Sequence, residues 1–141
     1  MQDKNRSAAY WSLRLALGVV PILAGLDKFT NLLTQWEGYL GPFARGLIPV
    51  SPALFMRAVG IVEVVVGAAI LLGQARWAGW VAMGWLAAIA LQLVTTGQHL
   101  DVAARDLVMA TAAFALARLA PAEEAAHAEQ AGHAAHGTAH A

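Results

Sequence analysis

Charged side chains inside long apolar stretches are where this sequence could do chemistry. Glu63 stands in the run 53–73, ten residues from either end. An unpaired carboxylate in hydrocarbon costs about 3 kcal/mol or more, so such a group takes up a proton, meets a polar ligand or finds a buried cation. Arg14, in the run 10–29, lies at the depth that suits it best if its long side chain points inward. Two readings of Glu63 stay open: a proton relay or polar ligand site, and a buried Glu63–Arg14 bond that fixes helix register. Lys28 is the third ionisable residue placed on an inward face.

A second cluster gathers at the other end of the same stretches. Asp27 and Lys28 close the first run, Arg57 opens the second, and Asp101, Arg105 and Asp106 open the run 101–120, with His99 and Gln98 beside them. Acidic residues suit a helix N-terminus, so a solvated, snorkelling rim is one reading. The other is a polar pocket beneath an aromatic loop carrying Trp36 and Tyr39, fit for a headgroup, a quinone or an anionic ligand. Trp80, Trp85 and Gln92 in the run 77–96 either line a cofactor or face lipid and packing neighbours. His127, His133, His136 and His140 are the candidate metal ligands, three of them at helical spacing. Gly132 and Gly137 weaken a helix there, and nothing orients the imidazoles.

The elements that must position these residues are helices. The chain has 141 residues, is 59% hydrophobic and only 13% charged, with nine basic and nine acidic residues. Soluble domains are roughly 25% charged, so this composition suits a surface facing lipid. The runs 10–29, 53–73, 77–96 and 101–120 each approach the ~20 residues that span a ~30 Å hydrocarbon core. The spacing predicts an all-α polytopic membrane protein, an antiparallel bundle of four transmembrane helices. Residues 1–9 precede it, a long aromatic loop 30–52 interrupts it, and a His- and Ala-rich tail 121–141 follows as disordered low-complexity chain. Lys4 and Arg6 before an apolar run resemble a signal peptide, but no small-x-small cleavage site follows, so the first segment is expected as a retained helix. The slight bias of Lys and Arg between the two sides favours both termini in the cytoplasm of a bacterial inner membrane.

Small residues mark the inward faces. Arg14, Gly18, Pro21, Gly25 and Lys28 recur at spacings of four, three, four and three; Met56, Gly60, Glu63, Gly67 and Ile70 keep a similar rhythm, and Asp106, Ala110, Ala113 and Ala117 share a face. Such stripes let helices approach closely. The balanced charge excludes a nucleic-acid partner, which needs a basic stripe. The absence of cysteine excludes disulfides, thiol relays, iron–sulfur clusters and cysteine-based zinc sites.

Taken in order, Arg14 with Leu17-Gly18, Ala24-Gly25-Leu26-Asp27-Lys28-Phe29, the loop residues Trp36, Tyr39 and Pro42, Gly60-Ile61-Val62-Glu63 with Gly67, and Asp101 with Arg105-Asp106 resemble the DoxX-like family of small four-helix membrane proteins. The resemblance implies the fold, the membrane location and inward roles for Arg14, Lys28 and Glu63. It also implies an association with thiosulfate:quinone oxidoreductase and with oxidative-stress complexes of the membrane. The first expectation is therefore a non-catalytic membrane subunit or anchor of a redox or envelope-stress complex, surrounded by lipid and partnered by an oxidoreductase or further copies of itself. The alternatives are a quinone-interacting oxidoreductase component using Arg57, Asp101, Arg105 and Trp36, and a small proton-coupled transporter using Glu63. No cofactor is certain; quinone is the candidate.

Overall fold

A computed structural model describes residues 2–138. The elements are α1 (Gln2–Asp27), a 3-10 turn (Trp36–Tyr39), α2 (Pro42–Leu47), α3 (Pro52–Leu71), α4 (Ala75–Thr96) and α5 (Leu100–Thr138), with no strand among the described residues. Three helices are long and apolar enough to cross a membrane, over Lys4–Asp27, Pro52–Leu71 and Ala75–Thr96. α5 packs along α4, but Asp101, Arg105, Asp106 and Arg118 in its first five turns keep it below that measure.

Local chemistry sets the helix ends. Ser51 caps α3, its hydroxyl accepting from the Leu54 N–H at 3.4 Å, with Pro52 just inside the helix, where a missing N–H costs nothing. α4 stops at Gly97, whose φ of 66° is the left-handed conformation that glycine adopts freely. α1 starts at Gln2, well before the predicted Tyr10. α5 also runs past its predicted end, through Pro121 to Thr138, so the segment 121–138 expected to be disordered is helix. Pro121 removes one intrahelical N–H, whereas the Ala, Glu and Gln around it are strong helix formers. Arg6 Nε donates to the buried Glu123 carboxylate at 3.2 Å, tying this part of α5 to α1.

The distribution of side chains is inverted relative to a soluble protein. Leu15, Leu23, Val65, Trp77, Leu91 and Val108 are exposed, while Asp27, Lys28, Asp106 and Glu123 are buried. Where helices cross, the buried residues are small. α4 and α5 meet at Gly79, where an added Cβ would lie 3.0 Å from the Ala117 Cβ and 3.1 Å from the Ala113 carbonyl. α1 and α3 meet at two glycine pairs: a Cβ on Gly25 would lie 2.5 Å from the Gly60 carbonyl oxygen, and one on Gly67 would lie 2.5 Å from that of Gly18. Seven residues along α1 match seven residues back along α3, which is antiparallel packing in register.

At the end holding Tyr10, Ile70, Ala75 and Ala120, all four long helices close around one core, with Leu17, Ala78, Ala82, Ala113 and Leu116. Toward the other end the α1/α3 pair and the α4/α5 pair separate. The bundle is a wedge whose open end lies beneath the first loop.

Replacing Gly25 with Leu is expected to lower stability by about 2–3 kcal/mol, because the partner is backbone and cannot move aside. Gly84 has open space around it, so Gly84→Ala is expected to be neutral or to stabilise by up to about 1 kcal/mol through helix propensity. Thermal unfolding in detergent followed by circular dichroism checks both; equal midpoints for Gly25→Leu and the unaltered protein would refute the glycine contact.

Candidate functional site

The open end of the wedge holds a cavity of about 560 Å³, lined by all four long helices and by the loop. Its walls are mostly apolar, including Val20, Pro21, Phe55, Met56, Leu86 and Met109, and its polar lining is Lys28, Trp36, Tyr39, Glu63, Trp85, Gln92, Arg105 and Asp106. A mostly apolar concavity of this size with a few converging polar groups is the usual form of a small-molecule site.

Lys28 and Glu63 form its centre. Lys28 Nζ donates to Glu63 Oε2 at 2.6 Å, with side chains 4% and 13% exposed. The same ammonium lies 3.7 Å from the centre of the Trp36 ring, a cation–π contact strengthened by burial. The indole N–H of Trp36 donates to Asp27 Oδ2 at 2.7 Å. One tryptophan therefore serves two oppositely charged neighbours, its edge to Asp27 and its face to Lys28. Asp27 also accepts from the Leu32 N–H at 2.9 Å, the Leu33 N–H at 3.1 Å and the Thr30 hydroxyl at 3.2 Å. A carboxylate at a helix C-terminus opposes the helix dipole; here four donors from the following segment offset that cost and fasten the start of the loop.

The loop then folds over the bundle. Gln92 donates to the Tyr39 carbonyl at 3.4 Å, Gly41 packs against Thr96, and Arg45 donates to the carbonyls of Leu40 and Glu37 at 3.0 and 2.8 Å. Tyr39 faces His99 with ring centres 4.5 Å apart. Trp36 and Tyr39 thus roof the cavity.

The structure corrects the expected pairing of Glu63 with Arg14. Arg14 instead donates to the Ile70 and Leu71 carbonyls at 2.9 and 2.8 Å, with its guanidinium 4.8 Å from the Trp11 ring. Long helical side chains lean toward the helix N-terminus. For Lys28, at the C-terminal end of α1, that direction leads into the bundle; for Arg14 it leads away from the middle, toward the carbonyls that end α3. Glu63 thus meets a buried cation, but a different one from that expected.

The expected rim divides. Asp106 is buried in the cavity wall, and Arg105 Nε lies 3.5 Å from its carboxylate while remaining largely exposed. Arg57, His99 and Asp101 are exposed, and none of them lines the cavity. Arg57 sits off the Met56–Gly60–Glu63 face, so its helix turns it outward. Trp85 and Gln92 line the cavity, whereas Trp80 does not, and the Trp85 indole nitrogen is buried without a hydrogen-bond partner among the described residues. Spacing gave no signal for the contributions of Phe55 and Met109. The side chains of His127, His133 and His136, and all of His140, lie outside the described residues. Among those described, no group of three or more His, Asp or Glu side chains is placed to hold a metal ion.

The model of the DoxX family matches residues 10–97, more than half of the chain. The chain belongs to the DoxX family. That family comprises small membrane proteins, and the apolar helices make this chain a membrane protein in the same way. The match contains Lys28, Trp36, Glu63, Trp85 and Gln92 and stops before α5, so Arg105 and Asp106 fall outside it. No curated protein and no solved structure matches the chain.

Lys28→Met is expected to cost about 3 kcal/mol, because it strands the Glu63 carboxylate in an apolar wall. Adding Glu63→Leu should recover most of that loss. Equilibrium unfolding of the two single variants and the double variant in mixed micelles gives the coupling energy; strictly additive losses would refute the pair.

Proposed function

We propose that this DoxX protein is the membrane-embedded subunit of a redox complex, without a catalytic centre of its own, and that it holds a quinone in the bundle cavity. The cavity itself carries the proposal: about 560 Å³, apolar along most of its wall, with aromatic rings from Phe55, Trp36 and Trp85 and its charges confined to matched pairs. These residues fit a flat, uncharged ring with an apolar tail. A bound quinone supplies acceptor chemistry for two electrons and two protons. The chain contributes apolar walls for the ring and tail, Trp36 and the Lys28–Glu63 pair at the roof, and a loop that shields the site from water. The chain lacks cysteine, so thiol or iron–sulfur relays belong to a partner oxidoreductase. A carrier role for Glu63 is disfavoured by the Lys28 ammonium at 2.6 Å, which already occupies the carboxylate.

Titration of decylubiquinone into the protein in lipid nanodiscs is expected to quench tryptophan emission saturably, because Trp36 and Trp85 form part of the wall. Quenching that rises linearly with the quinone content of the bilayer, as for dissolved quencher, refutes the proposal.

The same proposal makes α5 a fourth span, with its first turns beside the α1–α3 loop and both termini on the cytoplasmic face of a bacterial inner membrane. Packing along α4 supports it, since the short link 97–99 returns the chain toward the opposite end. A chain without cysteine can be labelled at single introduced thiols with no background. Gln74→Cys and Glu124→Cys are expected to react from one side of sealed vesicles, and Gly38→Cys and Gln98→Cys from the other. Labelling of positions 98 and 124 from the same side would refute the fourth span.

A further inference from the structure

We propose that a second cavity, outside the quinone site, binds an oxyanion of the phosphate type, whether on a lipid headgroup or free in water. This cavity measures about 330 Å³ and is lined by loop residues 38–42, by Arg45, and by Thr96, Gln98 and His99 where α4 passes into α5. Tyr39 and Leu40 also line the first cavity, so the two share a wall. Their charges differ. The first cavity holds its ions in opposite pairs, whereas no Asp or Glu is among the described residues that line the second.

Arg45 is fixed but not neutralised. Its Nε and Nη2 donate to the Leu40 and Glu37 carbonyls at 3.0 and 2.8 Å, and those acceptors are uncharged. The Glu37 carboxylate accepts instead from the Asn31 side-chain amide at 3.4 Å. No ion pair among the described residues includes Arg45, and its Nη1 hydrogens have no acceptor there. The residue is exposed, so these donors are open to a ligand, in the planar array that suits an oxyanion. From the α4–α5 link come Gln98, whose side-chain amide has no partner among the described residues, and His99. His99 has a φ of 55°, a left-handed backbone that histidine tolerates better than most residues with a Cβ. Its ring meets Tyr39 at 4.5 Å between centres, which holds the imidazole at the cavity. Thr96 secures the link, its hydroxyl donating to the Leu93 carbonyl at 2.6 Å and accepting from the Gln98 N–H at 3.1 Å. A cation would be repelled here. A halide is one point of charge, whereas the several oxygens of a phosphate group accept from the loop and the link together.

The test is calorimetric titration of inorganic phosphate, and separately of dihexanoyl phosphatidic acid, into the full-length protein in dodecyl maltoside, a detergent without phosphate. Saturable binding is expected. A lipid bound about ten-fold or more tightly than phosphate identifies a headgroup as the occupant, and a smaller difference the free ion. Arg45→Gln is expected to weaken binding roughly ten- to hundred-fold, as for a lost charged hydrogen bond. Because that change also loosens the loop, Gln98→Ala and His99→Asn serve beside it, asparagine being tolerant of positive φ. Each of these is expected to lose roughly three- to ten-fold. Arg57→Gln removes an exposed cation that lines neither cavity and should bind as the unaltered protein does. Absence of saturable binding for both probes overturns the proposal. So does unchanged binding by the Gln98 and His99 variants, or an equal loss in Arg57→Gln, which is the mark of diffuse attraction to surface charge. The quinone titration reads a different cavity, so the two proposals fail separately.

Discussion

The backbone contact of α1 with α3 at Gly25 and Gly60 is the constraint on which the site depends. Each glycine lies so close to the carbonyl of the other that a methyl group would not fit. That proximity brings Glu63, in the middle of α3, within the reach of the lysine that follows α1. In the antiparallel pair Lys28 and Glu63 lie one turn to either side of the Gly25–Gly60 contact, and the lysine side chain leans back across it. A larger residue at either glycine would push the two helices apart and draw Lys28 away from Glu63. The pair in turn places the ammonium under Trp36, and Trp36 and Asp27 hold the loop that closes the open end. A hydrogen atom in place of a side chain at two positions thus underlies the ion pair, the roof and the cavity.

Much of this was legible in the sequence. The periodicity of Gly18, Gly25, Gly60 and Gly67 identified the inward faces, and the loop aromatics pointed to a cover. The choice of cation for Glu63 was not legible, because depth counted along the chain ignores the direction in which a side chain leans. Lys28 and Arg14 lean the same way along α1, and this brings one of them to Glu63 and the other to the Ile70 and Leu71 carbonyls at the end of α3. The rim misled for a related reason. Arg57, Asp101 and Asp106 are alike in composition and depth, but only the last shares the inward face of its helix. The continuation of α5 past Pro121 shows that a proline removes one hydrogen bond, whereas a run of alanines favours the helix at every residue.

α1 treats charge in two ways along its length. Midway along it Arg14 satisfies carbonyls that α3 cannot use for itself, so the charge serves to finish a neighbouring helix. At its C-terminal end, Asp27 and Lys28 are consecutive residues of opposite sign, both buried and both served by one indole. Buried charge in this bundle is tolerated where each group has a partner: Lys28 has Glu63, Asp27 has the donors of the loop, Asp106 has Arg105 and Glu123 has Arg6.

The wedge shape has a mechanical consequence. The closed end is dense with small residues, while the space between the α1/α3 and α4/α5 pairs is the part of the molecule with volume to give up. Hydrostatic or lateral membrane pressure acts on such voids before it acts on close-packed contacts. The void volume between the helix pairs therefore lies at one end, and pressure would draw the halves together there while leaving the glycine crossings unchanged.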